Sequence, residues 1–345
     1  MLPLPCPPGE KDCGAGCVPI STDVGCGGDS CAPCADLPNA NESCNVETGL
    51  CQFAACDVGF ADCDGDTSRY DGQSEGNGCE YEFALGSEIR PAPVQPLEVP
   101  RGHINIGDGG RDDWAGIPAY PLQQTCNNCR DDTLFAIAAQ NEVPPRRDLD
   151  AYFRVAWNND FFYVLGDVFD DQVVSNGVDF PDGRCQFGAP CEDAFYVFFD
   201  GRNNRSVNEG YGIDDPRVFI GSSNNSFRVS GENVGPPLID LRAVQHGPAC
   251  YRIEAQFSWR LIVGVQGEAE IAGQFPPLPN QEYGFDIAVN DWDPGISDET
   301  PQRESQLFWL SPGDGYAQKT SGFGAMRLVE QVTAAPSNPT ESSPE

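Results

Sequence analysis

Apolar side chains recur at every second position in several stretches of this chain. Tyr251, Ile253, Ala255 and Phe257 alternate with Arg252, Glu254 and Gln256. Tyr283, Phe285, Ile287 and Val289 alternate with Gly284, Asp286, Ala288 and Asn290, and Phe153, Val155 and Trp157 with Tyr152, Arg154 and Ala156. A period of two puts one set on a buried face of a strand and the other on a wet face. Residues 161–168 and 194–199 are apolar at nearly every position, as central strands covered on both sides would be. Residues 218–220, 227–229, 306–310 and 324–329 read as further strands, and Asn158-Asn159-Asp160 reads as a hairpin turn. Residues 133–140 read as a short helix. Many strands with turn signals between them and little helix predict an all-β fold, an antiparallel, jelly-roll-like β-sandwich.

That sandwich does not fill the chain. Residues 1–87 carry few large apolar side chains and eleven of the sixteen cysteines. Such a segment buries little core, so bridges must replace burial. Cysteines at Cys13-x3-Cys17, Cys31-x2-Cys34 and Cys51-x4-Cys56 are spaced too irregularly for a zinc ribbon and predict a disulfide-stapled region. The remaining five are Cys126, Cys129, Cys185, Cys191 and Cys250. Both counts are odd, so full pairing requires at least one bridge between the two regions. Residues 88–101 hold four prolines and read as a stiff linker. Residues 102–332 are the sandwich, and 333–345, polar and rich in Pro and Ser, read as a disordered tail.

Cysteine usage places the protein in an oxidising compartment, extracellular or at the cell surface. The sequence around Met1 lacks the charged and apolar parts of an export signal, so the chain is expected to begin after one. Leu4-Pro5-Cys6 is a poor lipidation site, because a small residue is expected before the cysteine. Against 20 Lys and Arg stand 53 Asp and Glu, a net charge of −33. A nucleic-acid partner and an anionic membrane surface are thereby excluded, since both need a basic face. No apolar run of about 18 residues occurs that could span a bilayer as a helix.

Five segments in fixed order then carry a resemblance. They are Gly107-Asp-Gly-Gly-Arg-Asp-Asp-Trp114, Ala151-Tyr-Phe-Arg-Val-Ala-Trp157 with the run to Asp170-Asp171, Glu192-Asp-Ala-Phe-Tyr-Val-Phe-Phe-Asp200, Gly284-Phe-Asp-Ile-Ala-Val-Asn-Asp-Trp-Asp293, and Phe323-Gly-Ala-Met-Arg-Leu-Val-Glu330. Over residues 103–331 the chain resembles the family 9 carbohydrate-binding modules of secreted xylan-degrading enzymes. The resemblance implies a β-sandwich, a sugar partner and structural calcium. It places a sugar-binding glutamate of such modules at Tyr196. Of their two clamping tryptophans, it places one where Pro190, Cys191 and Glu192 stand, and the other near Tyr316. The cysteine-rich region, with Gly59-Phe-Ala-Asp-Cys63-Asp-Gly-Asp66 and Asn77-Gly-Cys79-Glu80, is similar to repeats in secreted proteins of predatory high-GC bacteria.

Pyranose rings present apolar C–H faces, so sugar sites pair exposed flat rings with amides and carboxylates. Trp292, Trp309 and Tyr316, with Asn290 beside them, are the candidates for carbohydrate binding. Trp114, Trp157 and Trp259 read as packing residues. Asp62, Asp64 and Asp66, with Asp71 and Glu75 nearby, space oxygen ligands as a calcium loop would, although Thr67 and Gln73 break the EF-hand pattern. Asp291, Asp293 and Asp298 form a second cluster, and Asp108, Asp112 and Asp113 a third. Catalysis is not expected: the two histidines, His103 and His246, lack motif partners, and no nucleophile or metallohydrolase motif occurs. A lesser option is haem held by Met326 with His246 or His103. The expected protein is a secreted or cell-surface, non-catalytic carbohydrate-binding protein with calcium as its structural ion. The alternative is a structural or adhesive surface protein that has lost sugar binding and acts through protein contacts.

Overall fold

A computed structural model of the chain describes residues 6–14, 16–27, 31–45, 47–64, 78–82, 89–90, 95–106, 111–123, 148–174, 192–205, 214–222, 227–230, 239–264, 276–292, 305–310 and 320–331. The N-terminal arm is three small hairpins. β1 (Glu10–Asp12) pairs β2 (Cys17–Pro19), β3 (Ala40–Asn45) pairs β4 (Leu50–Cys56), and β5 (Phe60–Ala61) pairs β6 (Tyr81–Glu82). Disulfides hold them: Cys6–Cys17, Cys13–Cys31, Cys26–Cys44, Cys34–Cys51 and Cys56–Cys79. The eleventh cysteine of the arm, Cys63, bonds Cys250 of the sandwich, which is the crossing bridge that the odd counts demand. Among the described residues no cysteine is free. Cys126, Cys129, Cys185 and Cys191 lie outside the described residues.

Two sheets follow. Their strands are β7 (Leu97–Pro100), β8 (Tyr120–Pro121), β9 (Leu149–Trp157), β10 (Phe161–Asp170), β11 (Ala194–Asp200), β12 (Arg217–Gly221), β13 (Phe227–Ser230), β14 (Ile239–Gln245), β15 (Cys250–Ser258), β16 (Glu282–Asp291), β17 (Ser305–Phe308) and β18 (Gly324–Val329). The five-stranded sheet runs β14-β15-β10-β9-β8. The seven-stranded sheet runs β13-β12-β11-β16-β18-β7, with β17 beside β18 on the same edge of β16. Every pairing is antiparallel except β18 with β7.

The alternation explains the packing. Phe153, Val155 and Trp157, with Tyr251, Ile253 and Phe257, face Phe195, Val197 and Phe199, with Phe285, Ile287 and Val289, in one core between the sheets. Gly166 interrupts β10 where an added Cβ would lie 2.5 Å from the Phe195 ring, so glycine there lets a bulky side chain of the facing sheet approach. The doubly apolar runs are covered on their second faces as well. Tyr163 and Leu165 pack with Ile104, Ile106 and Trp114, and Phe169 packs with Ala61, Cys63 and Cys250 where the arm docks. On the other sheet, Tyr196 and Phe198 join Phe219, Phe308 and Phe323.

Three sequence expectations differ from the structure. The proline-rich stretch 88–101 is not all spacer: residues 97–100 form β7, with Leu97 and Val99 buried. Its prolines are tolerated because β7 is an edge strand, where a missing N–H costs no ladder bond on the open side. Strands β14 and β8 and the short helix α1 (Trp259–Ile262) were not legible from periodicity. The strand expected over 306–310 is β17, which ends at Phe308. The helix expected over 133–140 and the tail 333–345 lie outside the described residues. No helix among the described residues is long and apolar enough to cross a membrane.

Candidate functional site

The outer face of the seven-stranded sheet carries a buried layer of aromatic and amide side chains built from strand register. Tyr196 lies opposite Phe219 of β12 and Ala288 of β16, and Ala288 lies opposite Phe308 of β17. One rung further, Ala194, Asn290 and Gln306 are aligned. The alanines, Ala288 in the first rung and Ala194 in the second, leave room for the longer side chains beside them. Tyr196 is coplanar with Phe198 at 5.9 Å and meets Phe219 edge-on at 4.8 Å. Asn290 Nδ2 donates to the Tyr196 hydroxyl at 2.8 Å. Opposite Phe198 sits Asp286, wholly buried, whose Oδ1 accepts from the N–H groups of Ile287 and Leu310 at 2.8 and 3.2 Å. Burial pushes the Asp286 carboxyl well above its ordinary pKa, opposed by those two N–H groups and by the Arg205 guanidinium.

At one end of the sandwich three carboxylates converge. Asp170 closes β10, Asp193 precedes β11 and Asp291 closes β16; all three are buried, with one oxygen of each within 4.8 Å of the others. Asp193 Oδ1 accepts from the Trp292 N–H at 2.7 Å, and Asp170 Oδ1 from the Gln172 N–H at 3.0 Å. The hydroxyl of Tyr251 is buried at this end and has no hydrogen-bond partner among the described residues. Its pKa is raised first by burial and then by the charges of Asp193, Asp170, Asp291 and Glu192. Clustered buried carboxylates either take up protons or hold a hard cation, and oxygen ligands of this kind suit calcium.

Two further carboxylate clusters lie elsewhere. Asp200, Asp214 and Asp215 are all buried, and Asp200 accepts from the N–H groups of Asn204 and Arg205 at 3.0 and 2.9 Å. Asp62, Asp64 and Glu80 cluster in the arm, with Asp62 buried and the others exposed. Glu80 Oε1 accepts from the Cys63 N–H at 2.8 Å, and its carboxyl is raised chiefly by burial. The cysteines Cys26, Cys34 and Cys51 also lie together, but their sulfurs are spent in disulfides.

Set against the sequence candidates, the structure corrects several. Trp309 is 2 % exposed and belongs to the main core, edge-on to Phe153 at 5.9 Å, so it offers no ring to a ligand. Trp292 is 5 % exposed rather than displayed on a loop, since its backbone is drawn in by Asp193. Asn290 is buried on the outer sheet face, paired to Tyr196. Trp114, Trp157 and Trp259 are core, as expected. Of the metal candidates, Asp62 and Asp64 fall in one cluster and Asp291 in another. Tyr316, Asp66, Asp71 and Asp293 lie outside the described residues, as do Asp108 and Asp298. Asp113 accepts from the Asn105 N–H at 2.7 Å, as a turn-forming side chain. The haem option does not hold together. Met326 is in the core between the sheets, His103 is on the outer side of the five-stranded sheet, and His246 stacks on Tyr81 at the arm at 4.8 Å. Sequence reasoning missed Asp170, Asp193 and Glu80. The signal for the first two was an acid at the very end of an apolar strand.

Comparison with known proteins agrees with this architecture. Residues 126–331 match the family described as carbohydrate family 9 binding domain-like, and the chain belongs to it. It is 25 % identical over 177 residues to exoglucanase XynX of Acetivibrio thermocellus, and 24 % identical over 183 residues to endo-1,4-beta-xylanase A of Thermoanaerobacterium saccharolyticum. The match covers 51 % and 53 % of this chain but 13 % of each relative's length. Among solved structures, a family 9 carbohydrate-binding module of Caldicellulosiruptor kristjanssonii in complex with cellotriose aligns over 70 % of this chain and 99 % of its own, with a TM-score of 0.45 at 18 % identity. The same module with glucose gives a TM-score of 0.44.

Proposed function

We propose that this is an exported, non-catalytic protein that binds polysaccharide or oligosaccharide on the outer face of its seven-stranded sheet, around Tyr196 and Asn290. The observation that carries the reading is the position of that pair. Tyr196 stands where the family resemblance puts a sugar-binding glutamate, and Asn290 fixes its hydroxyl from the neighbouring strand. A phenol oriented by an amide is a group that a neutral sugar can hydrogen-bond, and with Tyr196 7 % exposed and Asn290 1 %, Asn290 acts by orienting Tyr196 rather than by touching sugar. Tyr316 is proposed as the aromatic partner, standing a few residues before Phe323 where the resemblance puts a clamping ring. Export is supported by the disulfides of the arm and by the −33 net charge, which favours a soluble surface. Such a protein would serve carbohydrate breakdown by holding substrate rather than cleaving it, free or attached to the cell surface.

Calcium is proposed as the structural ion of Asp170, Asp193 and Asp291, with Asp62, Asp64 and Glu80 as a weaker, more exposed site. When bound, the cation would neutralise the buried charge; it has no part in sugar chemistry here.

A second reading is that the sandwich is a scaffold acting through protein contacts. It is favoured by the burial of Trp292 and Trp309 and by Pro190, Cys191 and Glu192 at the other clamp position. Affinity electrophoresis through gels containing xylan, hydroxyethylcellulose or bacterial glycans separates the two. Retardation by one polysaccharide that is lost in Tyr316→Ala supports the sugar reading. Unchanged mobility in every gel supports the scaffold.

A further inference from the structure

The opposite sheet carries a groove of about 610 Å³, within the range of small-ligand sites. Its floor follows from strand register. Asp240 of β14 lies opposite Gln256 of β15, and Gln256 opposite Tyr163 of β10. All three point away from the core, because Leu241, Ala255 and Val164 between them pack on the inside. Adjacent strands are about 4.8 Å apart, so a carboxylate, an amide and a phenol stand in a row roughly 10 Å long. Phe161 lies on the same face of β10, half-buried, its ring 6.2 Å from that of Tyr163. Asn158 Nδ2 donates to the Tyr163 hydroxyl at 2.7 Å and fixes its orientation.

One wall is the segment 103–106, whose side chains alternate. Ile104 and Ile106 are buried beneath it with Trp114, while His103 and Asn105 are exposed and line the groove. The segment is held on both sides: the Gly102 N–H donates to the Trp157 carbonyl, and the Asn105 N–H donates to the Asp113 carboxylate at 2.7 Å. The groove is therefore preformed rather than a gap between loose parts. Its charges are Asp160 and Asp240 against Arg242, in a chain of net charge −33. Anions are repelled by the whole molecule, and the carboxylates, amides and guanidinium of the lining supply both acceptors and donors, as a ligand rich in hydroxyls needs.

We propose that this groove is a second carbohydrate site, for a short neutral oligosaccharide laid across β14, β15 and β10 with one ring against Phe161. The choice of sugar as ligand rests on the family reading; the location of the groove does not. Two sites on opposite sheets would let one molecule bridge two polysaccharide chains, or hold one chain with avidity.

The chain contains its own reporter, because it has two histidines and one of them, His103, lines the groove. His246 lies at the arm instead. Protein carrying 13C-labelled histidine is titrated with xylopentaose, cellopentaose and maltopentaose. At least one sugar is expected to move the His103 imidazole signals and leave those of His246 in place. Gln256→Ala and Asp240→Ala, at a half-buried and an exposed position, are each expected to weaken that response roughly tenfold, as the loss of one hydrogen bond would. Val58→Ala, at an exposed position of the arm, should leave it unchanged. If a sugar retards the protein in gels while His103 stays silent with all three pentaoses, the groove proposal is overturned and the Tyr196 face stands. If no sugar binds by either measurement, both fall.

Discussion

Asn290 on β16 donates its amide hydrogen to the hydroxyl of Tyr196 on β11, 2.8 Å away, across the outer face of the seven-stranded sheet. The two residues are diagonal rather than directly opposite: Tyr196 faces Ala288, and Asn290 faces Ala194. The small side chains let the long ones meet. Tyr196→Phe keeps the ring and removes this bond, at an expected cost of about 1 kcal/mol. Urea denaturation should show an earlier midpoint with an unchanged slope. A midpoint equal to the parent's would mean that the bond contributes nothing to the fold.

Cys63–Cys250 joins an arm with little core to a sandwich with a large one, across 187 residues. Replacing both cysteines by alanine should cost about 2–5 kcal/mol, mostly by freeing the unfolded chain from a long closed loop. Gly247 gives an independent check. Its φ is +95°, and an added Cβ would lie 2.3 Å from the Cys63 carbonyl oxygen. Gly247→Ala should therefore expose residues 60–64 to protease while leaving the sandwich intact. Equal protease resistance in both proteins would show that the arm does not dock here.

The bridge and the main strands were legible in the sequence for simple reasons. Cysteine parity does not depend on geometry, and period-two alternation survives in Tyr251–Phe257 because one face of β15 stays polar. The site was less legible. Trp292 sits among loop-forming residues and Trp309 at the end of a short apolar run, and only tertiary packing turns them inward. Asp170 and Asp193 are 23 positions apart in sequence and meet because β10 ends where β11 begins, at the same end of the sandwich. Leu97 and Val99 were hidden by the prolines around them. Asp240, Gln256 and Tyr163 share no local pattern and align only through strand register.

Asp286 gives a pH dependence of known sign. In the unfolded chain its carboxyl ionises near pH 4. In the fold burial holds it protonated to higher pH. The native state therefore binds the extra proton between those two values. The contribution of this group is fully present below about pH 4 and is lost as pH rises toward the folded pKa. Asp286→Asn should gain stability over the parent with rising pH, by up to about 1.4 kcal/mol per pH unit in that window. Denaturation midpoints of both proteins from pH 4 to 8 measure it, and a constant difference would contradict the assignment.

Calcium at Asp170, Asp193 and Asp291 predicts linked stability. At a hundredfold excess over its dissociation constant, the ion should add about 2.7 kcal/mol, or roughly 5–10 °C in melting temperature. Chelator should remove that increment. Asp193→Asn should melt lower and show no difference between calcium and chelator. A parent protein indifferent to chelator would leave the three carboxylates as a proton-sharing cluster.

The central claim is sugar binding on the Tyr196 face, and calorimetric titration with xylo- and cello-oligosaccharides tests it most directly. The account predicts saturable heat with at least one of them, reduced when Asn290→Ala and Tyr196→Ala are combined in a protein whose circular dichroism is native, and abolished when Gln256→Ala and Asp240→Ala in the groove are added. Heat unchanged in the Asn290 and Tyr196 double variant would place the sugar elsewhere, and no heat with any oligosaccharide would contradict the account.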